Sequence, residues 1–115
     1  MLGFRALLVT MFGVLLVYTS VTIANHGWNL LSIFFGDMAA MTWPGQFNLD
    51  FMFMLMLSGL WVAWRHRFSG AGFALAVVAV FGGASFLSIY LLVVSLQANG
   101  DMREVLLGAS RSGAA

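Results

Sequence analysis

Asp50 is the side chain that most needs a chemical explanation. It stands just after Asn48 and Leu49, ahead of an unbroken apolar run from Phe51 to Trp64 that ends in Arg65, His66 and Arg67. Such a segment is expected to cross a bilayer, and a carboxylate about one turn inside it is costly enough to mark a candidate site. Two roles fit. As a functional group, Asp50 would be a proton donor, a counter-ion for a ligand or a contact for a partner. As a structural group, it would offset the positive end of the helix dipole and accept from spare amides, although Asn48 alone could cap them.

The other candidate groups are placed by depth. At about 1.5 Å of rise per residue, Tyr18 and Tyr90 each sit roughly 10 Å below the membrane face at which Asn48 and Asp50 enter, and Asn25, His26 and Asn29 share that level. Nearly all hydrogen-bonding side chains outside the tail are therefore expected at one face. Tyr18 and Tyr90 either orient a ligand beside Asp50 or act as interfacial and packing tyrosines, and His26 reads as an exposed helix-end residue. On the second span Asp50, Met54, Ser58, Trp61 and Arg65 share a helical face, so the carboxylate and Ser58 are expected to look inward together. Met52, Met54 and Met56 alternate and serve as packing or lipid-facing fill. A metal at His26 would need companions, but His66 lies across the membrane and the chain has no cysteine. There is no glycine-rich phosphate loop and no legible nucleophile, base and acid set, so no metal and no cofactor is implied.

Three apolar spans, at about 5–24, 48–66 and 72–96, must position these groups. Arg5 precedes the first, and Asn25, His26 and Gly27 close it. Arg5, the apolar stretch and the small residues Thr22 and Ala24 also fit a cleavable signal peptide, but nothing downstream requires export, which favours a retained span. Trp28 to Phe35 is too short to cross and starts on an aromatic, which predicts an interfacial or re-entrant helix over about 28–36. Residues 36–46, with Pro44 and Gly45, read as the one clear loop, with Trp43 extended before the proline. Ser69, Gly70 and Gly72 predict a tight turn between antiparallel second and third spans. In the third span Gly72, Ala76, Ala79 and Gly83 recur at steps of four, three and four, a stripe of small residues that lets helices approach closely in lipid. Asp101 to Leu107 predicts one or two helical turns, and residues 108–115 a frayed tail.

Composition sets the solvent. The 115 residues are 62% hydrophobic and 8% charged, too little polar surface to keep so small a chain soluble as a monomer. Its charges are five arginines and four acids without a basic patch, which argues against nucleic acid as a partner. Arginine placement predicts a multi-pass membrane protein with the amino terminus cytoplasmic, beside Arg65 and Arg67. The carboxyl terminus, with Arg103 and Arg111, would be periplasmic.

The turn at Asn25 to Gly27, the phenylalanine-bearing segment to Phe35, the aspartate-headed second span, the basic stop at Arg65 to Arg67 and the third span with Ser85 to Leu92 form a recognisable layout over residues 4–98. This layout resembles a family of small uncharacterised bacterial three-helix integral membrane proteins, and the resemblance implies topology, in a bacterial inner membrane, without a reaction. The chain is more distantly similar to the three-helix halves of bacterial carotenoid lycopene cyclases, but it lacks their acidic pairs, since Asp50 is the sole carboxylate near lipid. The expectation is an all-α membrane bundle that acts as a packing or accessory subunit, in a homo-oligomer or a larger complex, through the third-span stripe. The alternative is a membrane enzyme or binding protein for an isoprenoid or lipid that uses Asp50.

Overall fold

The computed structural model describes residues 1–108, and the greater part of the predicted tail lies outside the described residues. The described chain is all helical: α1 (Leu2–His26), α2 (Leu30–Ala40), α3 (Trp43–Arg65), α4 (Gly70–Gln97) and α5 (Met102–Leu107). As expected, α1, α3 and α4 are each long and apolar enough to cross a membrane.

The predicted loop before the second span is helix instead. α2 runs to Ala40, only Met41 and Thr42 intervene, and α3 begins at Trp43 rather than near Asn48. Pro44 is the reason the boundary was misplaced: near a helix start its missing N–H is not needed, so it opens α3 instead of breaking it. Gly45 then rests on α2, where an added Cβ would collide with the Asp37 carbonyl and come within 2.9 Å of the Met38 Cα. One turn on, the Asn48 amide donates to the Phe34 carbonyl at 3.1 Å. These pairings run in opposite chain directions, so α2 lies antiparallel along the start of α3, and Asn48 ties the two helices together rather than capping α3.

The α3–α4 turn follows expectation. Ser69 caps α4, its Oγ accepting from the Gly72 N–H at 3.1 Å, and Gly72, Gly59 and the fully buried Ala79 let the two helices approach closely. An added Cβ on Gly72 would stand 2.7 Å from the His66 Cβ, and one on Gly59 would stand 3.2 Å from the Ala76 carbonyl. The small-residue stripe is thus used within the chain, against α3.

Gly83 breaks the third span. Its φ of 57° and ψ of −141° are outside any helical region and belong to conformations that only glycine adopts readily. At this point α4 has climbed to the level of Phe51 and Leu55, whose side chains approach Gly83. Seven residues later Tyr90 is back beside Trp61 and His66, with ring centroids 5.9 Å and 6.0 Å apart. Residues 84–97 therefore return toward the end from which residues 70–82 set out. Each half is about 20 Å long at 1.5 Å per residue, short of the roughly 30 Å of a hydrocarbon core.

The reversal corrects the expected placement of the chain ends. Arg5 of α1 donates from Nε to the Ser95 Oγ at 3.1 Å and from Nη2 to the Ser95 carbonyl at 3.0 Å. A Cβ on Gly100 would lie 3.4 Å from the Met1 side chain. Both ends of the described chain share one end of the molecule, together with Arg65 and α5, instead of lying at opposite ends. There the core gathers Val62, Ala79, Tyr90, Val94, Ala98 and Val105.

Candidate functional site

The site is built where α3 ends. Arg65 is the last residue of that helix, and residues 84–97 and α5 are folded back beside it. Its Nε donates to the Val105 carbonyl at 2.6 Å, Nη2 to the Glu104 carbonyl at 3.2 Å, and Nη1 to the Tyr90 hydroxyl at 3.1 Å. A planar fork with donors in several directions suits this geometry, because it can join two elements through one side chain. The guanidinium carbon also lies 5.7 Å from the Tyr90 ring centroid. Trp61 adds a further tie, its indole N–H donating to the Leu106 carbonyl at 3.0 Å.

Tyr90 passes the contact on. Arginine can only donate, so the tyrosine oxygen accepts from Arg65, and the same hydroxyl is hydrogen-bonded to the His66 Nε2, 2.6 Å away. His66 caps α3 just beyond its last turn, and its pKa is lowered from 6.5, first by burial and then by the charge of Arg65. Arg65, His66, Arg67, Gln97 and Glu104 line a cavity of about 440 Å³ floored by Val94 and Ala98.

The lowered pKa fixes the sign of a pH effect. A histidine titrating lower in the folded state than in the unfolded chain contributes stability that is present above about pH 6.5 and lost as pH falls through the depressed value. Detergent-solubilised protein is expected to melt lower below about pH 6 than at pH 8, and His66→Gln is expected to lose part of that dependence. Parallel pH profiles for the two proteins would remove the relay.

The residues singled out from sequence are not brought together. Asp50 is exposed and, among the described residues, makes no hydrogen bond or ion pair; Ser58, half-buried, bonds the Leu55 carbonyl at 2.7 Å within its own helix. Tyr18 is 72% exposed on α1. His26, also exposed, ends α1 as expected. Tyr90, 8% exposed, lies at the arginine end, away from Asp50 and Tyr18. The single polar face is therefore two groups at opposite ends of α3, separated because the break at Gly83 carries Tyr90 back down. Arg65 and His66 read from sequence as the basic stop of a span. No signal in the sequence marked their role, because Gly83, which reverses α4, reads equally well as part of the small-residue stripe. No family model, no curated protein and no solved structure matches the chain.

Proposed function

We propose that this chain is a multi-pass membrane protein that works by assembly, packing its first helix against further helices of its own kind or of a larger complex. The observation that carries this reading is the bareness of α1. Of its 25 residues only Leu8 is buried, and its packing in the fold is against α4. Beyond that contact Gly13, Val14, Val17, Tyr18, Val21 and Thr22 line an open groove that continues to Asn25 and His26. Gly13 has open space where a Cβ would be, which admits a close backbone, and Tyr18 offers a hydroxyl for an interhelical hydrogen bond. The stripe of Gly72, Ala76, Ala79 and Gly83 is already filled by α3, so assembly is assigned to α1 instead.

Arg5, Arg65, Arg67 and Arg103 belong to one end of the fold, and positive charge favours the cytoplasm, so that end is assigned inside. Asp50, exposed and apart from both tyrosines, lends nothing to the isoprenoid or lipid reading.

The test is oxidative crosslinking in native membranes of Val17→Cys and Val21→Cys, with Leu8→Cys as the buried control, combined with particle mass in mild detergent. Linked species at the groove positions and a particle larger than one chain are expected. A monomer that crosslinks to nothing at either position would end the assembly reading.

A further inference from the structure

The cavity at the end of α3 holds more positive charge than the fold uses. Arg65 has spent one hydrogen on each of three neutral acceptors, two carbonyls and a hydroxyl, and keeps further N–H groups on Nη1 and Nη2. Among the described residues no carboxylate comes within ion-pair distance of Arg65 or Arg67, although Glu104 is one of the residues that line the cavity. Arg67 and Gln97 are both exposed and line the same cavity, one bringing a second guanidinium and the other an amide. Among the described residues the half-buried Arg65 guanidinium thus has no carboxylate counter-charge, and with Arg67 and the Gln97 amide it lines one cavity with N–H donors. This donor set matches a tetrahedral oxyanion bound through charge-assisted hydrogen bonds.

We infer that this cavity binds a phosphate-class anion, with Arg65 and Arg67 as its charged contacts and Gln97 as a neutral donor. A volume of about 440 Å³ holds a phosphate with room to spare. The position suits a lipid phosphodiester as well as free phosphate: the cavity opens where an apolar helix of 23 residues gives way to a basic cluster, at headgroup depth for a chain set in a bilayer. The inference goes beyond the assembly reading and does not rest on it, because the cavity lies at the other end of the fold from the α1 groove.

The test uses the full chain in nanodiscs of phosphatidylcholine alone or with phosphatidylglycerol, with bound lipid counted by native mass spectrometry after mild activation. Arg67→Gln is the decisive variant, since an exposed arginine outside the helices is removable without unfolding the protein. The expected result is retention of phosphatidylglycerol over phosphatidylcholine by the native chain, weakened about tenfold in Arg67→Gln, the size of one charge-assisted contact. Inorganic phosphate that displaces the lipid or quenches Trp64 or Trp61 fluorescence at millimolar concentration would identify a site for free phosphate too. Equal retention of the two lipids together with no response to phosphate would overturn the inference, as would unaltered binding by Arg67→Gln. Crosslinking at Val17 is independent of either outcome, so the two readings fail separately.

Discussion

Gly83→Leu should abolish the native packing of α4, whereas Gly13→Leu should leave it intact. Both replace a glycine in a long apolar helix, and hydropathy alone would rank them as equals. Gly83, however, sits at φ 57° and ψ −141°, where a side chain costs about 1–3 kcal/mol in backbone strain. Its Cβ would already lie 3.3 Å from Leu55 Cδ2 and 3.4 Å from Phe51 Cζ, so the rest of a leucine has nowhere to go. Overpacking of that kind adds about 1–3 kcal/mol. Around Gly13 nothing lies within 4 Å of an added Cβ. The two effects together take a large share of the ~5–15 kcal/mol that holds a small domain. Unfolding by sodium dodecyl sulfate in a mild detergent measures the difference, with Gly83→Leu losing the cooperative transition or shifting it sharply to lower surfactant. If its midpoint matches that of the native chain, α4 passes straight through residue 83 and Tyr90 is not at His66.

Arg65→Ala carries the second large effect. Removing the guanidinium leaves the Val105 and Glu104 carbonyls without their donor and takes away one partner of the Tyr90 hydroxyl. Hydrogen bonds from a charged group are worth about 1.5–3 kcal/mol each. Shared through one side chain they do not add, so a loss on the order of 3–5 kcal/mol is expected. The damage should be local first. α5 has six residues, too few to hold a helix alone, and is anchored by Arg65, by the Trp61 indole and by the burial of Val105. Hydrogen exchange should show the α5 amides exposed while those of α3 stay protected. Arg65→Lys should be nearly as severe, because one ammonium on a single stem cannot reach three acceptors arranged around a planar fork. Full protection of α5 in Arg65→Ala would mean that Val105 packing alone seats the helix.

How far the sequence could be read differs from residue to residue, and the reasons are physical. The ends of α1 and α5 were legible because Gly27 and Asp101 act within a turn of themselves: one takes a positive φ, and the other accepts from the Arg103 N–H at 3.1 Å. The α3–α4 turn was legible for the same reason, through Ser69. Pro44 misled because proline reads as a breaker in isolation yet fits the first turn of a helix; the extended residue is Thr42, two positions ahead of it, and Trp43, expected to be extended, already belongs to α3. Gly83 misled more deeply. It matched a four, three, four stripe of small residues, and the same residue type serves close packing and backbone reversal, so spacing could not tell the two apart.

From its sequence alone this chain is committed to helices, to apolar surroundings and to charges crowded at the segment ends, since each of these follows from composition and short-range periodicity. What the tertiary structure alone decided is which charged and polar groups meet. One backbone reversal at Gly83 moves Tyr90 from the level of Asp50 to the level of Arg65, leaves the carboxylate alone on an outer face, and brings the two chain ends together. That outcome depends on a pair of dihedral angles and on contacts between residues 25 to 90 positions apart, a range over which hydropathy and spacing carry no information.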